Sequence, residues 1–280
     1  MPSFFQKAER GIKVTMEHSQ NRIVIKVGTS TLTHENGSID IRTTEKLCKV
    51  LADLRNQGYE VILVSSGAIS VGVNKMRLPE RPKELRMKQA AAAVGQCELM
   101  HMYDKELSEY GNMAAQILLT SEDFEVEEKR KNLRNTFSAL LENGIIPIVN
   151  ENDSVSHAEI ESSKKVFGDN DTLSAIVAVM CGAAKLIILS DIEGLYDDNP
   201  RTNPSAKLIH KVPVIDESIT ALANGTGSSR GTGGMATKLE AAKFVTQNGI
   251  DMYITIGNDP SKIYDILDGK EIGTHFFGRR

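Results

Sequence analysis

Residues 22–30 read RIVIKVGTS, an apolar run that ends in a short polar loop containing glycine. The arrangement returns at 61–68, VILVSSGA, and between the two lies a helical pattern with Leu47, Leu51 and Leu54 on one side. Short β-branched runs that alternate with longer helical segments are typical of βαβ units and a mainly parallel sheet. The sequence therefore predicts an open α/β fold with polar loops at the carboxyl ends of its strands.

The same alternation continues along the chain. Further strands are predicted at 114–119, 145–149, 186–189 and 252–256, and further helices at about 84–109, 133–143, 172–180 and 235–248. Pro147 counts against a fully paired strand because proline lacks a backbone N–H. Residues 155–167 alternate polar and apolar side chains, and we interpret them as a small exposed hairpin that serves as a lid over the substrate.

Composition excludes several classes of protein. The chain has 280 residues and a net charge of −4, with Lys and Arg scattered, so it lacks the basic stripe of a nucleic-acid-binding protein. Cys48, Cys97 and Cys181 form no Cys-x-x-Cys pair, so no zinc site is predicted, and we expect buried, reduced thiols. No apolar run approaches the roughly 20 residues that cross a bilayer, and the N-terminus lacks the apolar core of a signal peptide. A cytoplasmic location without a membrane partner is expected.

Two loops have the features of an anion site. Lys26 lies inside an apolar strand beside Gly28, whose backbone N–H can approach an anion closely; the alternative is a strand-end lysine that reaches solvent. Residues 231–238 read GTGGMATK and open a helix, where free N–H groups favour phosphate; the alternative is a flexible surface turn. This segment lacks the P-loop pattern and fits the dinucleotide-binding fingerprint only loosely, since no strand directly precedes it.

Acidic and amide residues form two further clusters. Residues 168–172 read GDNDT at a predicted helix start. A helix cap explains one of Asp169, Asn170 and Asp171 but not all three, so we expect at least one of them in a functional site. Residues 150–153 read NEND after a predicted strand, which fits either a site or an ordinary turn.

Seven motifs occur in order: IKVGTS (25–30), SSGAIS (65–70), NENDSVS (150–156), GDNDTLSA (168–175), LSDIEGLY (189–196), DDNPRTNP (197–204) and GTGGMATK (231–238). Over about residues 22–274 this series resembles the glutamate 5-kinase branch of the amino acid kinase family. The resemblance implies a carbamate kinase-like, three-layer αβα sandwich around a mainly parallel open sheet. It also implies a loose extension at 1–20 and a single kinase domain at 21–280, with an acceptor-binding part at about 21–183 and an ATP-binding part at about 184–280.

The resemblance implies an activity as well. The γ-phosphoryl group of ATP, carried with Mg²⁺, would pass to the γ-carboxylate of L-glutamate and give L-glutamyl 5-phosphate, the first step of proline biosynthesis. Feedback inhibition by L-proline, handover of the product to glutamyl phosphate reductase and homo-oligomerisation are further expectations. Many members carry an additional C-terminal PUA domain, of a type seen in RNA-modifying enzymes. Because this chain stops at Arg280 before such a domain, we expect a short form.

Site residues are carried over from the matching motifs. The resemblance implies catalytic roles for Lys26, Lys238 and Asp171. It implies substrate binding by Ser66, Asp153, Asn170, Asn150 and Asp169. It implies nucleotide binding by Lys26, Gly28, Ser190, Asp191, Thr232, Gly233, Gly234, Met235, Ala236, Thr237 and Lys238. No protein ligand is predicted for Mg²⁺, which usually keeps phosphate oxygens and water as its ligands.

Three alternatives remain open. Another amino acid kinase, acting on acetylglutamate or carbamate, would lack a substrate ammonium group for Asp153 to bind. A catalytically silent sensor of amino acid or nucleotide is disfavoured by the presence of Lys26, Asp171 and Lys238. A dinucleotide oxidoreductase depends on the loose fingerprint at 231–236 alone.

Overall fold

The computed structural model describes residues 18–155, 169–222 and 234–279. The strands are β1 Ser19–Val27, β2 Glu60–Val64, β3 Ala114–Leu119, β4 Ile146–Glu151, β5 Ala183–Ser190, β6 Lys211–Val212, β7 Asp251–Ile256 and β8 Thr274–Phe276. They form one sheet in the order β3-β4-β2-β1-β5-β7-β8-β6. Every neighbouring pair is parallel except β7 and β8. The predicted mainly parallel open sheet is confirmed.

Ten helices lie in the described ranges. They are α1 Thr29–Leu32, α2 Ile41–Asn56, α3 Ala68–Lys75, α4 Leu85–Ser108, α5 Glu122–Glu125, α6 Glu127–Glu142, α7 Asn170–Met180, α8 Glu217–Ala221, α9 Met235–Gln247 and α10 Lys262–Leu267. Local chemistry fixes several ends: Asp40 accepts a hydrogen bond from the Thr43 N–H at the start of α2. Gly58, just beyond its end, has a φ of 93°, a conformation that glycine adopts without strain. None of these helices is long and apolar enough to cross a membrane.

Apolar side chains cover both faces of the sheet. Along β1, Val24 belongs to one buried cluster, while Ile23 and Ile25 belong to another, because successive side chains of a strand point to opposite faces. The Val24 cluster includes residues of α6, α7 and α9, and the Ile23 cluster includes residues of α2, α4 and α10. The result is the expected three-layer αβα sandwich, with β1 in the middle of the sheet.

Some details differ from the predictions. Pro147 has no backbone N–H to donate to a neighbouring strand, yet it lies inside β4. It is tolerated because the pairing of β4 with β2 begins one residue later, at Ile148. β1 begins at Ser19, so the last two residues of the predicted extension belong to a strand. The expectation of buried thiols was wrong for Cys97, which is exposed on α4. Most of the predicted lid, from residue 156 onward, lies outside the described residues, and the division into acceptor and ATP parts stays a prediction.

Candidate active site

Polar residues predicted for the site meet at one edge of the sheet. Strands β1, β2, β4, β5 and β7 run in parallel, so their carboxyl ends share that edge. Lys26, Asn150 and Ser190 lie within the last residues of β1, β4 and β5, and Ser66 follows β2. All four are buried. Buried polar groups at strand ends require partners, and the partners identify the site.

Lys26, Lys238 and Asp171 form a buried charged cluster. The Nζ of Lys26 lies 2.6 Å from Oδ1 of Asp171, and the Nζ of Lys238 lies 3.1 Å from Oδ2 of the same carboxylate. The Asp171 side chain is completely buried, and the two lysine side chains are 9% and 7% exposed. One carboxylate thus holds two ammonium groups next to each other, although these come from β1 and α9, which are far apart in sequence.

The ionisation of Asp171 depends on those lysines. Burial by itself works to raise the pKa of Asp171, but Lys26 and Lys238 outweigh it and lower the pKa to about 2. The carboxylate is therefore ionised at neutral pH. Because it neutralises only one of two lysine charges, the ammonium groups remain suited to a bound anion.

Two helix N-termini bring the cluster together. Asp169 caps α7, and its Oδ1 accepts hydrogen bonds from the N–H groups of Asp171 and Thr172 at 3.0 and 3.1 Å. Lys238 lies in the first turns of α9, and Thr237 donates to Asp171 Oδ2 at 3.2 Å. A lysine near a helix N-terminus is disfavoured by the helix dipole, so the Asp171 contact offsets a position that helix formation alone would not select.

The amide and hydroxyl residues form a second network. Asn170 Nδ2 donates to the Ser65 carbonyl at 2.6 Å, to Ser66 Oγ at 2.8 Å and to Asn150 Oδ1 at 3.0 Å. Asn150 Nδ2 donates in turn to Oε1 of Gln96 on α4 at 2.9 Å. Since Asn170 and Asp171 are adjacent on α7, this uncharged network directly borders the charged cluster.

Two glycines keep space open beside these groups. A Cβ added at Gly28 would lie 3.8 Å from the Lys26 ammonium, in ordinary van der Waals contact, so the backbone at Gly28 passes directly beside that group. Gly67 has a φ of 96°, which lets the chain turn sharply from Ser66 into α3. Both glycines fit loops that must pass close to a ligand.

The loop after β5 is more exposed. Ser190 is 5% exposed, and its carbonyl accepts a hydrogen bond from Gly257 N–H at 2.7 Å, so the loops after β5 and β7 are joined. Asp191 is exposed and accepts a hydrogen bond from Arg201 at 3.1 Å. Both predicted nucleotide residues of this loop therefore reach the same edge of the sheet, where Ser190 is buried and Asp191 faces solvent.

The other predicted site residues lie in the turn after β4 and around the start of α9, and those that the structure describes differ in burial. Met235 is buried in the apolar core and Ala236 is exposed, so any ligand contact from Met235 would have to come from its backbone. Asp153 is half-buried in the turn after β4. Thr232 and Gly233 lie outside the described residues, whereas Gly234 is the N-cap of α9.

Sequence reasoning missed Gln96 and Tyr103. Gln96 is 8% exposed, and the fully buried Tyr103 shares a 2.8 Å hydrogen bond with Ser65 Oγ. Both lie on the buried face of α4 together with Leu99, at spacings of three to seven residues. Polar residues at apolar positions of an amphipathic helix were the available signal, because such residues require buried partners.

A protein-bound metal finds little support among these side chains. Within the described ranges, no three His, Cys, Asp or Glu residues are grouped as metal ligands. Both oxygens of Asp171 contact lysines, and Oδ1 of Asp169 caps α7. A cation that accompanies a polyphosphate would therefore keep phosphate oxygens and water as its main ligands.

Paired buried ammonium groups at the carboxyl edge of a parallel sheet define the class: an α/β enzyme that acts on an anionic group. A model of the amino acid kinase family matches residues 21–255. Glutamate 5-kinase of Clostridium perfringens is 55% identical over 259 residues, which cover 92% of this chain and 96% of that protein. Glutamate 5-kinase of Listeria monocytogenes serovar 1/2a is 52% identical over 262 residues, covering 94% and 95%. The chain therefore belongs to the amino acid kinase family, within its glutamate 5-kinase branch.

Solved structures agree on the fold. Carbamate kinase from Giardia lamblia bound to AMP-PNP gives a TM-score of 0.65 at 16% identity, covering 92% of this chain and 99% of that one. Isopentenyl phosphate kinase of T. acidophilum in its product complex gives 0.61 at 18% identity, covering 91% and 99%. Such low identities show a shared architecture and leave the acceptor undefined.

Proposed function

We propose that this chain transfers the γ-phosphoryl group of ATP to the γ-carboxylate of L-glutamate, giving ADP and L-glutamyl 5-phosphate in the first step of proline biosynthesis. The identity to glutamate 5-kinases over more than nine-tenths of the chain supports the acceptor. The buried cluster of Lys26, Asp171 and Lys238 is the observation that supports the chemistry.

The cluster suits phosphoryl transfer to a carboxylate. A glutamate side chain has a pKa of about 4.3 and is already a nucleophile at neutral pH, so the reaction needs no general base. Its difficulty is the charge on the two reacting anions and on the group in transit. Lys26 and Lys238 would face that charge from two sides, and Asp171 would hold both ammonium groups in place. Fixed charges in a buried site stabilise a transition state without reorganising during the reaction.

Glutamate would bind on the amide side of the cluster. Ser66 and the neighbouring N–H groups would bind the α-carboxylate, while Asp153 and the Asn170 carbonyl would bind the α-ammonium. Asn150 would hold Asn170, and Asp169 would lie close by. Oδ2 of Asp169 is buried and has no hydrogen-bond partner in the parts of the chain that are described, so a donor from the substrate side would satisfy it.

ATP would bind on the side of β5 and α9. Ser190 and Asp191 would lie beside the nucleoside, and the loop from Thr232 to Lys238 would hold the phosphates together with Lys26 and Gly28. The N-terminus of α9 supports this assignment, because its free N–H groups and dipole favour an anion. Mg²⁺ would arrive with ATP, coordinated by phosphate oxygens and water, and would lower the negative charge of the polyphosphate.

The chemistry of the substrate and of the product also suggests a regulator and a partner. L-Proline has the α-carboxylate and the ammonium centre that the amide side would bind, so it would act as a competitive feedback inhibitor. The acyl phosphate product is labile, and glutamyl phosphate reductase would consume it. Homo-oligomerisation remains a prediction.

The test is acyl phosphate formation, trapped as the hydroxamate by hydroxylamine, with ATP, Mg²⁺ and L-glutamate. We expect a glutamate-dependent signal and matching ADP release. In Asp153→Ala the KM for glutamate should rise by about a hundredfold, since one partner of a charged hydrogen bond is lost. The KM for ATP should stay near the wild-type value.

Other acceptors decide between the alternatives. If the wild type ignores glutamate but phosphorylates N-acetylglutamate or carbamate, the assignment of the acceptor is wrong while the kinase chemistry stands. Silence with every acceptor, together with measurable glutamate or ATP binding, would favour a sensor.

A further inference from the structure

Gln96 is a buried amide on a mainly apolar face of α4, whose other buried polar groups are the Tyr103 hydroxyl and Glu106. It is 8% exposed, and its neighbours on that face of α4 include Ala92, Leu99 and Tyr103. An amide in such a place is costly unless its hydrogen bonds are made. The neighbouring Gly95 allows α4 to pack closely against the start of α3, beside the Ser66 loop. A Cβ at Gly95 would lie 1.8 Å from the Ala68 carbonyl oxygen, so no larger residue fits there.

Gln96 and the backbone N–H of Glu151 together fix which way the Asn150 amide faces. Oε1 of Gln96 accepts from Asn150 Nδ2 at 2.9 Å. An amide has a donor end and an acceptor end, so directing Nδ2 toward Gln96 turns Oδ1 of Asn150 the other way. There Oδ1 accepts from the Glu151 N–H at 2.9 Å and from Asn170 Nδ2 at 3.0 Å.

The orientation of Asn170 follows from these contacts. Its Nδ2 is surrounded by three acceptors: the Ser65 carbonyl, Ser66 Oγ and Asn150 Oδ1. Reversing the amide would put Oδ1 of Asn170 against the Ser65 carbonyl oxygen, and two acceptors cannot bond to each other. Asn170 is half-buried, so its carbonyl oxygen is left as the end that can meet a ligand. A carbonyl oxygen there accepts from an ammonium group and repels a carboxylate.

We infer that Gln96 is a positioning residue that sets the selectivity of the acceptor site for the α-ammonium of its substrate, acting through Asn150 and Asn170. The inference rests on the proposed function and identifies a residue that the motifs do not contain. Leucine at 96 would leave the buried Nδ2 of Asn150 without its acceptor. Asn150 would then keep only the contacts of its Oδ1, with the Glu151 N–H and Asn170 Nδ2, and would hold Asn170 less firmly. In the described part of the chain, no hydrogen bond joins Gln96 directly to Lys26, Asp171 or Lys238, so the phosphoryl-transfer cluster is left intact.

The test compares Gln96→Leu, Gln96→Glu and a control, Asn112→Leu. Asn112 is also a buried amide, 3% exposed, but it lies just before β3, at the end of the sheet opposite the site. Each variant is measured for kcat, for the KM of glutamate and of ATP, and for the inhibition constant of glutarate, which is glutamate without its ammonium group.

In Gln96→Leu we expect the KM for glutamate to rise about tenfold, with kcat and the KM for ATP within about threefold of wild type. Glutarate inhibition should change by less than about twofold, because glutarate carries no group for the Asn170 carbonyl. Gln96→Glu keeps an acceptor oxygen for Asn150 and should restore most of the glutamate affinity. The control should lose stability without losing selectivity for glutamate over glutarate.

Three results would overturn the inference. The first is an equal rise of the KM for glutamate and of the inhibition constant of glutarate in Gln96→Leu. The second is the same loss of selectivity for glutamate over glutarate in the Asn112→Leu control. The third is a folded Gln96→Glu protein whose KM for glutamate stays as high as that of Gln96→Leu. A further check is the double variant Gln96→Leu/Asn170→Ala, whose loss should be smaller than the product of the single losses because both residues act at one point. An inactive wild type would instead refute the proposed function, so the two failures are distinguishable.

Discussion

The two sides of Asp171 differ in polarity and in exposure. On the proposed acceptor side, Asn150 and Gln96 are buried, uncharged and joined by a 2.9 Å hydrogen bond. On the proposed nucleotide side, Asp191 and Arg201 form an ion pair whose side chains are 37% and 56% exposed. Buried amides hold fixed donors and acceptors and therefore select by geometry, whereas solvated charges adapt to a ligand and contribute little to rigidity. Selectivity is accordingly expected from one side and easy exchange of ligand from the other.

The largest effect should come from the cluster that joins the two sides. Lys238→Met keeps the length of the side chain and removes the charge, so kcat should fall by about 10³-fold while both KM values change little. Lys243→Met, on the exposed face of the same helix, is the matched control. Steady-state kinetics checks the prediction. A loss confined to the KM for ATP would mean that Lys238 belongs to the nucleotide side alone.

A smaller effect is expected on stability. Asp171→Asn leaves two buried lysines without their carboxylate and should lower the free energy of unfolding at pH 7 by about 3 kcal/mol. Because Lys26 and Lys238 lower the pKa of Asp171 to about 2, its ionised form stabilises the folded chain above the unfolded pKa of about 3.9, and that contribution is lost as the pH falls toward 2. The difference in free energy of unfolding between wild type and variant should therefore narrow as the pH falls from about 4 to about 2.

Urea unfolding across that pH range measures the difference. Asp191→Asn is the matched control, since it makes the same chemical change on the exposed nucleotide side and should leave the pH dependence of wild type unaltered. A constant difference between Asp171→Asn and wild type at every pH would show that the carboxylate is not stabilised by the lysines.

The smallest effect should follow from breaking the exposed pair. Arg201→Ala removes the contact with Asp191, and the KM for ATP should change by less than about threefold, because solvent already screens both charges. Raising the salt concentration should reduce even this effect. A tenfold rise in the KM for ATP would contradict the difference between the two sides. It would mean that the proposed nucleotide loop depends on its ion pair as strongly as the proposed acceptor network depends on its hydrogen bonds.

Long, strongly patterned elements were predictable from the sequence. β3 has the predicted bounds, and α4 differs from the predicted helix by one residue at each end. β6 and β8 were missed because strands of two and three residues are too short to show a period of two. The antiparallel pairing of β7 with β8 could not be predicted either, since it depends on how the connection through α10 brings β8 back beside β7.

The candidate site also contains residues that the sequence could name and residues that it could not. Lys26, Asp171 and Lys238 could be named because their motifs resemble those of a known family. Local chemistry alone left a strand-end lysine, a helix cap and a surface turn as alternatives. Gln96 and Tyr103 could not be named, because a polar residue on an apolar helix face indicates that a partner exists but not which one. Those partners lie 38 and 54 residues away in sequence.

By itself, the sequence determined the α/β architecture, the polar loops at the carboxyl ends of the strands and the residue types that a phosphoryl-transfer site requires. Hydrophobic periodicity and turn chemistry are local properties, and a parallel sheet fixes which strand ends meet. Only the tertiary structure decided the distances at which Asp171 holds both lysines and the hydrogen bond between Asn150 and Gln96. Those relations depend on distances between elements that only packing brings together, where low polarity makes the exact placement of each charge and amide decisive.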